Sequence, residues 1–251
     1  MGVSKNENMK LIQGECLKEM QNIEDKSIDM ILCDLPYGTT ACKWDTIIPF
    51  EPLWEQYKRI IKDNGAIVLT ASQPFTSALV MSNPKMFKYE WIWEKSKGSN
   101  FATLKYIPWK MHENILVFGN KKINYNPQKY QVSEDKVDKR KTVNNPLSNK
   151  EGVLGKIKRI RNKDSGSRYP KSVQMVANPN NNSLHPTQKP IALMEYLIKT
   201  YTNENDLVLD NCMGSGTTGV ACKNLNRDFI GIEKDEKYFK IAKDRIGSSI
   251  K

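Results

Sequence analysis

Histidine and paired cysteine are scarce in this 251-residue chain. It has two histidines, His112 and His185, and five cysteines with no C-x-x-C pair among them. An odd number of unpaired thiols excludes a disulfide framework, and two distant histidines give no zinc-ligand spacing, so no metal is expected. No apolar stretch approaches the ~20 residues of a membrane span, and the opening MGVSKNENMK lacks the apolar core of a secretory signal. The expectation is an intracellular protein with reduced thiols. A glycine loop, GSGT, is present at 214–217, but no lysine follows it, which excludes the phosphate-binding pattern of P-loop nucleotidases.

Charge is abundant and unevenly placed. The chain carries a net +11, and residues 121–177 hold eleven lysines and four arginines against five acids, a net +10. Such clustering suits a polyanionic partner, since each neutralised phosphate releases condensed counterions. A solvated basic loop is the alternative until a nucleic-acid chemistry is found elsewhere.

Apolar runs of strand length recur: SIDMILCD (27–34), GAIVLTAS (65–72), NILVFGN (114–120), DLVLDN (206–211) and DFIGIE (228–233). They are apolar at successive rather than alternate positions, which predicts strands covered on both faces. Helical spacing of apolar residues fills 49–63 and 189–201. The pattern predicts a doubly wound α/β sheet. It fails between Asn120 and Asn182, a Lys-, Asn- and Ser-rich stretch read as an irregular basic insertion. Three parts follow: 1–119, the insertion 120–182, and 183–251.

In open α/β sheets ligands collect beyond the carboxyl ends of the strands. Asp34 stands at such an end, in CDLPYGTTACKWD (33–45). Pro36 fixes its own φ and keeps Leu35 extended, so the Leu35 carbonyl is held beside the Asp34 carboxylate. Two acceptors converging on one point, with Tyr37 as a flat surface and Gly38 as a close turn, suit an exocyclic amine on an aromatic base. Read alone, Asp34 would cap a turn and Tyr37 would pack.

A strand, glycine loop and helix follow in LVLDNCMGSGTTGVACKN (207–224). Gly214 and Gly216 let a ligand approach the backbone, and the helix starting near Thr217 offers unpaired N–H groups to an anion. Glu233, nineteen positions beyond Gly214 at the end of the last strand, suits an acid accepting from ribose hydroxyls. Loop, helix and acid describe a nucleoside-plus-amino-acid pocket, hence S-adenosylmethionine, with NAD the weaker competitor. In SLHPTQKP (183–190) two prolines stiffen a segment whose Thr187, Gln188 and Lys189 could bond the cofactor's carboxylate or amine; an ordinary helix start is the alternative.

Together DLPYG, HPTQKP and DNCMGSGTT, in that order, resemble the motifs of the β-class, circularly permuted DNA amino-methyltransferases across nearly the whole chain. The resemblance implies a Rossmann-like, S-adenosylmethionine-dependent methyltransferase sheet with the basic insertion as target-recognition region. It implies Asp34, Leu35, Pro36 and Tyr37 as catalytic residues. It places the cofactor against Glu15, Asp34, His185, Thr187, Lys189, Asp210, Met213, Gly214, Ser215, Gly216, Thr217, Thr218 and Glu233. Double-stranded DNA becomes the partner, with Lys156, Lys158, Arg159 and Arg161 as candidate contacts, and a flipped base as the substrate. Family members are often homodimers, some serve beside a companion restriction endonuclease, and a prokaryotic or phage-infected cytoplasm is implied.

Leu35 and Asn211-Cys212 depart from the family's D-P-P-Y and D-P-F. Asp rather than Ser at position 34 favours adenine N6 over cytosine N4 as acceptor. Competing readings are a protein or RNA methyltransferase, which generally places its cofactor loop first, and a non-catalytic DNA-binding protein of the same fold.

Overall fold

The structure, a computed structural model, describes residues 9–39, 42, 45–138, 164–179 and 188–248. In chain order the elements are β1 (Met9–Gln13), α1 (Cys16–Met20), β2 (Ile28–Cys33), α2 (Phe50–Ile60), β3 (Ile61–Ala71), α3 (Phe75–Ser82), β4 (Phe87–Lys95) and β5 (His112–Phe118). They continue with β6 (Tyr130–Gln131), β7 (Ser167–Arg168), β8 (Val173–Val176), α4 (Ile191–Tyr201), β9 (Leu207–Asp210), α5 (Thr217–Asn224), β10 (Asp228–Glu233) and α6 (Glu236–Ser248).

Eight strands form one sheet in the order β1-β10-β9-β2-β3-β5-β4-β8. The run from β1 to β3 is parallel throughout, and β5 is antiparallel to both its neighbours. Each face is covered by its own core. One side packs α1, α2 and α3 through residues such as Met20, Leu53, Tyr57 and Phe75, and the other packs α4, α5 and α6 through Leu197, Val220 and Ile246. Burial on both sides explains why the central strands carry apolar residues at successive positions.

β2 and β9 are hydrogen-bonded neighbours, with Met30 opposite Val208 and Ile31 opposite Leu209. From this pair the chain winds outward through β10 to one edge and through β3 towards the other. The strand order therefore reverses between β2 and β9, and a crevice opens beyond their carboxyl ends. Asp34 and Asp210, far apart in sequence, are thereby brought to one place.

The chain divides into two compact units: residues up to Asn126 together with those from Lys171 onward, and Pro127–Pro170. The second unit lies within the stretch 120–182 marked by composition. Its described part is a short ribbon, β6 with β7, organised by Asp164. That carboxylate accepts from the Arg168 guanidinium at 2.7 Å and from the backbone N–H groups of Asp138 and Gly166. Lys129 lies 4.3 Å from the Tyr169 ring centre. No helix among the described residues is long and apolar enough to cross a membrane.

Candidate active site

A cavity of about 1030 Å³ opens at the reversal point, lined by Asp34, Leu35, Pro36 and Tyr37 on one side and by Asp210 through Ser215 on the other. Asp34 is the first residue beyond β2, with its side chain 25% exposed. Tyr37 donates its hydroxyl to Asp34 Oδ1 at 2.7 Å, and Thr70 from β3 donates to the same oxygen. The Lys189 ammonium donates to Oδ2 at 2.7 Å. The turn after Tyr37 is stapled by buried Asp45, which accepts from the N–H groups of Gly38 and Thr39. Gly38 adopts φ 67°, in the left-handed region that favours glycine. Leu35 is buried in the core, which explains an apolar residue there.

Lys189 belongs to a chain of alternating charge. Its ammonium is 3.2 Å from Glu113 Oε2, and the other oxygen of Glu113 pairs with Lys95, itself 5.2 Å from the Trp93 ring centre. Two cations and two carboxylates sum to zero, which is how buried charge is tolerated here. Burial alone would lower the Lys189 pKa, but Asp34 and Glu113 outweigh it and hold it above the ordinary value. The family resemblance implies Lys189 at the cofactor; in the structure its ammonium bonds Asp34 and it also lines the cavity. Tyr37 stays a phenol, because burial and the neighbouring carboxylates raise its pKa. One face of its ring stacks on Phe75, with centroids 5.1 Å apart.

On the opposite wall, Gly214 has φ 51° and donates its N–H to Glu233 Oε2 at 2.9 Å, while the backbone N–H of Asp235 donates to Oε1. Burial raises the Glu233 pKa. Glu15 caps α1 by accepting from the N–H groups of Leu17 and Lys18, and it lines the cavity. Asp210 accepts from Thr218 at 2.6 Å and from the Cys212 N–H, and burial pushes its pKa up to about 7. Met213, Ser215, Thr217 and Thr218 also line the space.

Gly216 does not line it. Its φ of 80° and its backbone packing, where an added Cβ would sit 2.9 Å from Ala242 Cβ, make it the contact between α5 and α6. Gly216 therefore has a helix-packing role, while its chain neighbours Ser215 and Thr217 line the cavity. His185, Thr187, Lys156, Lys158, Arg159 and Arg161 lie outside the described residues.

The departures have partners as well. Tyr57 donates to Asn211 at 2.6 Å, so an amide is used where a proline would not serve. Burial pushes the Cys33 thiol up to about 12, which keeps it protonated beside Asp34.

Sequence reasoning missed Thr70, Lys95, Glu113, Asp45 and Ser72. Ser72 is buried, lines the cavity, and its hydroxyl has no hydrogen-bond partner among the described residues. The available signal was position alone: Thr70 and Ser72 end the run GAIVLTAS, at the carboxyl end of a central strand. Among the described residues no group of His, Cys, Asp and Glu could hold a metal ion.

A sheet reversing at a crevice, with Asp34 held by Tyr37, Thr70 and Lys189 on one lip and a glycine turn bonded to Glu233 on the other, defines a Rossmann-like methyltransferase. The family described as DNA methylase matches residues 28–244, and the chain belongs to it. The Type II methyltransferase M.HpaI of Haemophilus parainfluenzae is 31% identical over 96% of this chain and 75% of its own length. M2.MboI of Moraxella bovis is 27% identical over 96% of this chain and 89% of its own length. In structure, the M1.HpyAVI–SAM complex superposes with a TM-score of 0.62 at 27% identity, covering 94% of this chain and 99% of that one. The cytosine-N4-specific PvuII DNA methyltransferase shares the fold at 15% identity, with a TM-score of 0.65 and coverage of 95% of this chain and 86% of that one.

Proposed function

We propose that this protein transfers a methyl group from S-adenosylmethionine to the exocyclic N6 of an adenine flipped out of duplex DNA. The arrangement around Asp34 carries the reading. A carboxylate offers about four lone-pair directions. Tyr37 and Thr70 take those of Oδ1 and Lys189 takes one of Oδ2, leaving one aimed at an incoming N–H. The Leu35 carbonyl, directed by Pro36, accepts the second N–H of the same amine. Both hydrogens are then held out of the ring plane, and the nitrogen lone pair points into the cavity.

The cavity has room for the cofactor and a base together, being just above the about 300–1,000 Å³ of ordinary ligand sites. When bound, S-adenosylmethionine supplies an electrophilic sulfonium methyl. The remaining accepting directions of Glu233 and Glu15 suit the adenosine hydroxyls and amine. The third N–H of Lys189 remains for a carboxylate. Tyr37 stacks the target base on the face that Phe75 does not cover, and Ser72 donates to the ring nitrogen beside the amine. Lys189 fixes Asp34 at Oδ2, so the carboxylate is oriented to accept from the target amine, which after methylation would shed its extra proton to water. Most of the acceleration comes from orientation and from preset acceptors in a water-poor site. The fold does not choose the base, since a cytosine-N4 enzyme shares it; Asp rather than Ser at position 34 favours adenine.

The test is incubation with labelled S-adenosylmethionine and unmethylated genomic DNA, followed by digestion to nucleosides. Labelled N6-methyladenine is expected. N4-methylcytosine would overturn the base assignment, and label in RNA or protein alone would overturn the substrate.

A further inference from the structure

The segment between β4 and β5, residues 96–111, lies outside the sheet and carries the most exposed rings of the described chain. Phe101 is 78% and Tyr106 79% exposed, with Trp109 nearby and also exposed. Lys97, Lys105 and Lys110 stand before, among and after them, and there is no acid from Ser96 to His112. Soluble proteins rarely hold several aromatic rings in water without a partner.

The loop is built rather than slack. Asn100 closes it, accepting from the Lys110 N–H at 2.7 Å and donating to the Pro108 carbonyl at 3.0 Å. Asn178 clamps its start, accepting from Ser96 and from the Lys97 N–H and donating to the Lys97 carbonyl. Trp109 packs closely against Gly98, where an added Cβ would fall 2.1 Å from the indole nitrogen. Ser99 and Lys110 line the cavity, so the loop is its rim.

We infer that this rim is a DNA contact separate from the basic insertion: Phe101 and Tyr106 cover the base faces laid bare when the target base leaves the helix, while Lys97 and Lys105 bind the adjoining phosphates. The inference rests on the proposed function. Flipping one base unstacks its neighbours at a cost of a few kcal/mol, and apolar side chains at the gap recover part of it. Rings interspersed with lysines, without acids, match a nucleic-acid strand, because rings stack on any base and ammonium groups neutralise phosphates. A second protein copy is the poorer occupant, since lysine is depleted in protein–protein interface cores.

Three variants test it: Phe101→Ala with Tyr106→Ala, Lys97→Gln with Lys105→Gln, and Gly98→Ala, which lifts Trp109 off its seat. Methyl incorporation into sheared unmethylated genomic DNA gives KM at several salt concentrations, and calorimetry gives cofactor affinity. The ring variant should raise the DNA KM about tenfold or more, with an unchanged salt slope and unchanged cofactor affinity. The lysine variant should lower the salt slope by about one per lysine. Gly98→Ala should raise the KM in the same sense as the ring variant. An unchanged KM in the ring variant overturns the inference, as does an unchanged KM with loss of a dimer on gel filtration, which would make the rim a subunit interface. If the wild type labels no DNA, the proposed function itself falls; if it labels DNA and the ring variant does so equally well, only the rim assignment falls.

Discussion

Lys189→Met removes an ammonium while keeping most of the side chain's volume. The wild-type group is 7% exposed and sits 2.7 Å from one carboxylate and 3.2 Å from another. Its loss leaves Asp34 and Glu113 facing each other with no cation between them. Breaking a buried pair costs about 3–5 kcal/mol, and the partial exposure of Asp34 places this case near the lower end, at about 3 kcal/mol. For a chain of this size that is a fall in Tm of about 6–12 °C. The rate should fall further than stability predicts. A hydrogen bond to a charged group is worth about 1.5–3 kcal/mol, so an Asp34 no longer fixed at Oδ2 should cost roughly 10- to 100-fold in single-turnover methyl transfer. Adding Glu113→Gln removes the opposed charge, and the double variant should be less destabilised than the sum of the singles by about 1–2 kcal/mol. Circular-dichroism melting and single-turnover transfer with labelled cofactor measure both effects. A Lys189→Met protein that melts and transfers like the wild type would refute the account of Asp34.

Three further outcomes are expected. Ser72→Ala deletes an orphaned buried hydroxyl, so Tm should hold or rise, while kcat/KM for DNA should fall about 3- to 10-fold through one lost bond to the base; unchanged kcat/KM would remove Ser72 from base recognition. The Asp210 carboxyl is raised from 3.8 to about 7, so the folded state holds its proton longer than the unfolded chain and stability declines as pH rises across that window. Asp210→Asn lacks this titration, so its Tm relative to the wild type should climb between pH 4 and 8; parallel curves would contradict the burial argument. Gly216→Ala combines a left-handed φ with a crowded Cβ, about 2–4 kcal/mol, and should lower Tm by about 5–15 °C while cofactor affinity in the surviving folded protein is kept. Wild-type stability in that variant would show that α6 yields at Ala242.

The central strands were legible because burial on both faces removes polar residues from them. β1, β4 and β8 were not: β1 and β8 are sheet edges, and β4 (FKYEWIWEK) carries charges along half its length. Asp34 could be read because proline and tyrosine mark it locally. Its distant partners Thr70 and Lys189, and Glu113 behind Lys189, could not, since they are gathered only by the fold, and no short-range pattern states that β2 lies between β9 and β3. Gly216 shows a different limit. A glycine that admits a ligand and one that admits a neighbouring helix leave the same letter in the sequence.

Placing β9 against β2 has a consequence for synthesis. The middle of the sheet is zipped by segments separated by most of the chain, so a nascent polypeptide that has emerged as far as the insertion holds β2 with one side unpaired. The site cannot assemble until the final strands follow, and such distant pairing is slow to form. A cut between residues 127 and 170 would divide the sheet's strands between two pieces, each holding an exposed half of the seam. Two such pieces made separately carry complementary edges, which makes the region a natural place to split the enzyme and to control it by bringing the halves together.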